Sequence, residues 1–179
     1  ISAYKVEKDI EVIPNFIDID KYNRDTIKIC NLKNHFAPNG ERILAHTSNF
    51  RPLKRVQDVI KIFFEVRKKI NAKLLLIGDG PERSECERLS RELGIYEDIK
   101  FMGKQDSIAE LLSLSDLFIM PSQSESFGLS ALEAMSCSVP AITTSVGGLP
   151  ELNIHGETGY IAEIGDIDRM AKYAIELLS

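Results

Sequence analysis

Short apolar runs and helix-spaced apolar positions alternate along most of this chain. Apolar runs bounded by turn residues read as strands buried on both faces. Six are present: Arg42–Asn49 (RILAHTSN), Lys73–Gly78 (KLLLIG), Ile99–Gly103 (IKFMG), Leu117–Met120 (LFIM), Val139–Thr143 (VPAIT) and Gly159–Ala162 (GYIA). Between them, Val56–Ile70 places Val56, Val59, Ile60, Phe63, Phe64 and Val66 close to the spacing of one helix face. Glu82–Leu93 follows Pro81, a good first-turn residue, and stops at Gly94, a good C-cap. Ser107–Leu114, Phe127–Cys137 and Asp168–Leu178 complete the helical segments. This alternation predicts an α/β fold with a doubly wound parallel sheet, in which ligands bind at the carboxyl ends of the strands.

Residues 1–41 read differently. Ile10–Ile13 is compatible with a strand, Pro14-Asn15 breaks it, and Asp25–Phe36 is compatible with a short helix before the strong turn Pro38-Asn39-Gly40. This stretch is read as a connector and lead-in, and 42–179 as the domain proper.

Composition narrows the classes. The 179 residues are 44% hydrophobic and 27% charged, which suits one globular domain with a real core. The net charge of −5 argues against a nucleic-acid partner. The chain has no run of about 18 apolar residues, so no transmembrane segment is expected; nor does ISAYKVEKD read as a signal peptide. Cys30, Cys86 and Cys137 form no CxxC pair, which suggests thiols in a reducing cytoplasm rather than a disulfide framework or a zinc site. The chain opens on Ile, as a fragment of something longer would.

Several candidate motifs lead nowhere. GxxxxGK[ST] is absent. Gly78-Asp79-Gly80 starts like GxGxxG, but Arg83 holds the place of the third glycine, so a turn after a strand explains it. His46, mid-strand, reads as a neutral core histidine. Asp18-Ile19-Asp20 and Asp166-Ile167-Asp168 are poorly placed to hold a metal, the second lying where a helix N-cap belongs.

Three loops are more informative. In PSQSESFGLSALEAMSC (Pro121–Cys137) a buried strand gives way to a polar loop and then to a helix start at Gly128. The amides of Phe127, Gly128 and Leu129 would point out of that start, which carries about half a positive charge and suits a phosphate. Glu125 before the helix and Glu133 within it either bracket such an anion, accepting hydroxyl groups of a sugar on each side, or are a surface and a capping glutamate. In SNFRPLKR (Ser48–Arg55), Arg51, Lys54 and Arg55 either neutralise a diphosphate without metal or form a solvated basic loop. Gly147-Gly148 either lets a backbone approach a ligand or makes a tight turn.

The run E-S-F-G-L-S-A-L-E (Glu125–Glu133) resembles the Glu-x7-Glu motif of family 4 retaining glycosyltransferases. VIPNFID, LLLIGDGPER, IKFMGKQD and VGGLPELNIHGETGYI stand in that family's order, so the resemblance covers nearly the whole chain. It implies the C-terminal, Rossmann-like donor half of a GT-B fold, with the acceptor domain absent. It implies a hexose transferred from a nucleotide diphospho-sugar, the UDP-sugar being substrate, with no metal cofactor.

By position, Glu125 would contact the hexose near the reacting carbon. Glu133 would bind the ribose hydroxyls. Ser126 and the amides at Phe127, Gly128 and Leu129 would hold substrate, with Lys54 on the diphosphate. Backbone near Lys104 would meet the base. Most members carry Arg where this chain has Asn49, and Arg51 is the candidate replacement. SNFRPLKRVQDVI looks closer to the bacillithiol-pathway branch, which joins N-acetylglucosamine to L-malate, than to generic members. The alternatives are a lipid or polysaccharide acceptor, or a non-catalytic nucleotide-binding module. A small-molecule acceptor and a cytoplasmic location follow from the branch reading, and self-association stays open.

Overall fold

The structure is a computed structural model that describes residues 11, 13–24 and 30–179. The strand expected at Ile10–Ile13 and the first part of the helix expected from Asp25 lie outside the described residues.

The remaining elements alternate as the apolar pattern dictates. They are α1 (Cys30–Phe36), β1 (Arg42–Ser48), α2 (Val56–Arg67), β2 (Ala72–Gly78), α3 (Arg83–Glu92), β3 (Ile99–Gly103) and α4 (Ile108–Ser113). They continue with β4 (Leu117–Met120), α5 (Leu129–Ser136), β5 (Ala141–Thr144), α6 (Leu149–Leu152), β6 (Gly159–Ala162) and α7 (Ile167–Leu178). α6 was not among the expected helices; Pro150 near its start and two preceding glycines hid four helical residues. β5 begins two residues later than expected, after Pro140, which cannot donate to a ladder.

The sheet has six parallel strands in the order β3-β2-β1-β4-β5-β6. Side chains alternate between two covered faces. Leu44, Leu74, Leu76, Leu117, Ile119 and Ile142 pack with α2 and α7 residues such as Val59, Phe63, Met170 and Ala174. Ala45, Phe118, Met120 and Ala141 pack on the other face with Ala131 and Ala134 of α5, and Ile43, Leu75 and Ile77 pack with Leu111 and Leu114. Burial on both sides is why the strands read as apolar runs rather than as alternating ones.

The lead-in is part of this packing. Tyr22 is 6% exposed within the α5 cluster. Lys33 of α1 reaches Asp116 at 3.1 Å, and Asp116 also accepts the Ile43 amide at 2.8 Å, which pins α1 beside the start of β1. The chain leaves β1 toward β2 on one side, while β4 joins β1 on the other. The loops after β1 and β4 therefore flank the crevice where strand order reverses, the ligand position of such sheets.

Candidate functional site

The two loops at this crevice are joined by direct bonds. The Gln123 amide donates to the Leu53 carbonyl at 2.8 Å. Lys54 Nζ donates to Glu125 Oε1 at 2.6 Å, and Ser122 Oγ donates to the same oxygen at 2.8 Å. Ser122 is itself held from β5, whose Thr144 hydroxyl donates to its carbonyl at 2.6 Å. The Glu125 side chain is 9% exposed and that of Lys54 20%, so the pair is largely withdrawn from solvent. A charge-assisted bond at such a site is stronger than its surface counterpart.

Sequence places both partners by unusual backbone. Lys54 ends a short 3-10 turn, Pro52–Lys54, bracketed by Phe50 (φ 39°) and Arg55 (φ 52°). Left-handed conformations at non-glycine residues persist where the surroundings over-determine them. Phe50 is fully buried, and Arg55 is tied by its Nε to the buried Asp58 at 2.5 Å. On the other side of the crevice, Gly147 (φ +54°) passes so close to Glu125 that a Cβ there would lie 1.7 Å from the Glu125 carbonyl oxygen. Gly80 similarly packs on Asn49, with 2.0 Å from a Cβ to its carbonyl oxygen. At both glycines the missing Cβ lets one backbone segment pass close to another.

A cavity of about 240 Å³ opens at this point. Lys54, Met120 and Glu125 form one side, residues 126–130 the other, and Asn15 of the lead-in also lines it. The helix opens later than the sequence reading expected: Gly128 (φ 95°) is the N-cap and Leu129 the first helical residue. The first intrahelical bonds run from the Ala131 and Leu132 amides to the Gly128 carbonyl. The amides preceding them belong to Leu129 and Ser130, and both residues line the cavity. The Glu125 carboxylate does not cap the helix; its partners are Lys54 and Ser122.

Lys54, Glu125, Ser126, Phe127, Gly128 and Leu129 thus meet in one place. Asn49, Arg51, Lys104 and Glu133 lie outside the cavity's walls. Asn49 and Arg51 are exposed on the β1–α2 loop, and Lys104 is exposed just after β3, at the sheet edge. Glu133 sits one turn into α5, where Tyr22 Oη donates to its Oε1 at 2.9 Å. Burial pushes the Glu133 carboxyl above the ordinary glutamate range, and the Tyr22 bond opposes that shift. Burial first, then the bond to Glu133, raises the Tyr22 phenol in turn.

Beneath the Lys54–Glu125 pair lies His46, fully buried. Its Nδ1 is 2.8 Å from the Ile119 carbonyl and its Nε2 2.9 Å from Ser48 Oγ. A carbonyl only accepts, so Nδ1 carries the proton and Nε2 accepts from Ser48. Burial lowers its pKa to about 4, so the ring is neutral near pH 7. His46 was legible in the sequence, but not its link from the end of β1 at Ser48 to β4 at Ile119. Ser122 and Tyr22 were missed altogether; Tyr22 lies 111 residues from its partner, and no local pattern marks it.

The acidic triplets serve the backbone. Asp166 caps α7 by accepting the Arg169 amide at 3.1 Å, and Asp18 accepts the Asp20 amide at 3.1 Å. Among the described residues no group of three His, Cys, Asp or Glu side chains gathers as a metal set, and no helix is long and apolar enough to cross a membrane.

The doubly wound sheet, with a Glu-x7-Glu helix at its switch point, has the Rossmann-like form of one half of a GT-B glycosyltransferase. The family described as Glycosyl transferases group 1 matches residues 30–179, and the chain belongs to it. N-acetyl-alpha-D-glucosaminyl L-malate synthase of Bacillus anthracis is 49% identical over 175 residues, covering 97% of this chain and 45% of that relative. A GDP-mannose-dependent alpha-(1-6)-phosphatidylinositol monomannoside mannosyltransferase of Mycobacterium tuberculosis is 26% identical, covering 99% of this chain and 49% of the relative. Among solved structures, Anabaena Alr3699/HepE in complex with UDP and glucose is 27% identical with a TM-score of 0.83, covering 93% of this chain and 46% of that one. The chain therefore spans about half the length of the relatives it matches.

Proposed function

We propose that this chain is the donor-binding half of a retaining glycosyltransferase that moves N-acetylglucosamine from UDP-N-acetylglucosamine to L-malate. The observation that carries the donor role is the convergence of Lys54, Glu125 and the start of α5 on one cavity. Transfer breaks the bond between the anomeric carbon and the diphosphate oxygen, and negative charge grows on the leaving oxygen. A lysine and a helix start aimed at that oxygen stabilise it without rearranging at the moment of reaction.

In the unliganded pair Glu125 neutralises Lys54. A diphosphate arriving at the cavity takes over the ammonium, and Glu125 is released toward the hexose hydroxyls. Glu133 takes the ribose and the loop at Lys104 the base. The choice of N-acetylglucosamine and malate is supported by the 49% identity to the Bacillus anthracis synthase, against 26% for the lipid-directed mannosyltransferase. On this reading no metal is required and the enzyme works in the cytoplasm.

Isothermal titration of UDP, followed by a donor and acceptor screen on the full-length enzyme, tests the proposal. Binding of UDP with malate-dependent turnover of UDP-N-acetylglucosamine is expected. Absence of UDP binding by folded protein overturns the donor role, and turnover with another acceptor in place of malate overturns the branch.

A further inference from the structure

We propose that Tyr22 is a positioning residue for nucleotide recognition: its hydroxyl sets the rotamer and keeps the charge of Glu133 so that the carboxylate can receive the ribose. This rests on the reading above that Glu133 is the ribose ligand, and it adds a residue from the lead-in to that site.

The geometry is specific. Tyr22 is 6% exposed, and its ring belongs to the apolar cluster formed with Ala131, Ala134 and Cys137 of the α5 segment. A ring so packed has little freedom, so its hydroxyl is delivered to one place, 2.9 Å from Glu133 Oε1. That bond occupies one of the carboxylate's roughly four acceptor sites and leaves capacity for a diol. Glu133 is half-buried, and burial alone drives it toward the neutral acid, a poorer acceptor for hydroxyl groups. A buried phenol donor counters that drift and holds the ionised form, which makes the stronger hydrogen bonds. Lys21, next to Tyr22, acts in the same direction through its charge.

Two segments 111 residues apart therefore build one half of the nucleotide site. How 13–24 packs under α5 decides how well the ribose is held. The Glu125 half of the motif draws its donors instead from Ser122 of its own loop and Lys54 of the loop after β1.

The test compares UDP with 2′,3′-dideoxy-UDP on the full-length protein by calorimetry. Tyr22→Phe keeps the ring and removes one donor. UDP affinity should fall roughly three- to tenfold, less than for loss of a direct hydrogen bond to a charged group, because Tyr22 acts on the ribose through Glu133. Affinity for the dideoxy nucleotide should not change, because the ribose hydroxyls carry the effect. In a Glu133→Gln background, Tyr22→Phe should cost little more. Equal losses for both nucleotides, or no loss for either, overturn the positioning role and leave Tyr22 as packing. If Glu133→Gln itself binds UDP as the parent does, the ribose reading fails first, and the two failures are told apart. Should Tyr22→Phe not fold, 3-fluorotyrosine at position 22 keeps the shape and strengthens the donor. UDP affinity should then rise without a matching rise for the dideoxy form, and parallel changes overturn the proposal.

Discussion

Glu125 and Glu133 are the two ends of one nine-residue motif, yet they live in different environments. Glu125 lies in a loop and meets a lysine and a serine hydroxyl, both delivered by neighbouring strand ends. Glu133 lies inside a helix and meets a phenol from a distant segment. A carboxylate paired with a cation is held ready to exchange that cation for a phosphate. A carboxylate held by a neutral donor keeps its charge unbalanced, available to neutral hydroxyls. On the proposed reading the difference gives the two residues different substrate partners, which spacing along the chain does not reveal.

The largest effect that would break this comparison is on the Glu125 side. Gly147→Ala introduces a Cβ at a left-handed position 1.7 Å from the Glu125 carbonyl oxygen, so the loop must move. A displacement on the order of 1 Å costs about a hundredfold in rate. Turnover of the full-length enzyme should fall at least that far, while UDP affinity should fall much less, because the Tyr22–Glu133 end is untouched. A matched loss in both measurements would show that the two ends do not act separately.

Next come the glutamates themselves. Glu133→Gln should lower UDP affinity roughly ten- to hundredfold, the range for hydrogen bonds to a charged group. Glu125→Gln should not lower UDP affinity, since Lys54 no longer has to leave a carboxylate, and should lower turnover, since on the proposed reading its partner is the hexose that UDP lacks. Glu133→Gln should also stabilise the fold near pH 7. The folded carboxyl ionises at a higher pH than the unfolded one, so between the two values the unfolded chain holds fewer protons and stability falls as pH rises. Thermal melts should show the variant's advantage shrinking as pH drops through the ordinary glutamate range. Equal UDP losses for both glutamine variants would merge the two roles into one.

A separate effect, on stability rather than on binding or turnover, reports on the ground beneath the Glu125 end. His46 titrates near 4 in the fold against 6.5 in the open chain. The unfolded state takes the proton first, so this contribution to stability is complete above about pH 6.5 and is lost as pH falls toward 4. Its size is about 3 kcal/mol from the linkage relation. Urea melts of His46→Phe should lack this part of the acid slope. An unchanged slope would mean that the His46 bridge does not carry it. The smallest expected effect is that of chelation. UDP affinity in EDTA and in magnesium should agree, and a loss beyond roughly tenfold in EDTA, about 1.4 kcal/mol, would require a metal site.

The sheet, the order of strand and helix and the motif loop were all legible in the chain, because two-sided burial writes itself as apolar runs and helix starts as glycine after a polar loop. Six strand positions were read within two residues of where they lie, since the core demands apolar side chains at those places whatever surrounds them. The loops at the rim were readable as chemistry but not as geometry. Gly147-Gly148 showed as flexible residues, and only the fold shows that the first makes room for the Glu125 backbone and the second for Ser126 and Phe127. Arg51 and Lys54 looked equivalent as cations. The 3-10 turn sends Lys54 to Glu125 and leaves Arg51 in solvent.

Sequence alone determined what is repeated and local: the α/β alternation, the faces of the helices, the asparagine where relatives of the resembled family carry arginine, and the identity of both glutamates. Tertiary structure decided the pairings that join distant segments: Lys54 with Glu125, His46 between Ile119 and Ser48, and Tyr22 with Glu133. The reason is the range of the forces. Backbone conformation acts through immediate neighbours in the chain, and burial of one face repeats with the period of the element that carries it, so both leave periodic traces. A hydrogen bond between residues 111 positions apart forms after the sheet has brought its partners together, and leaves none.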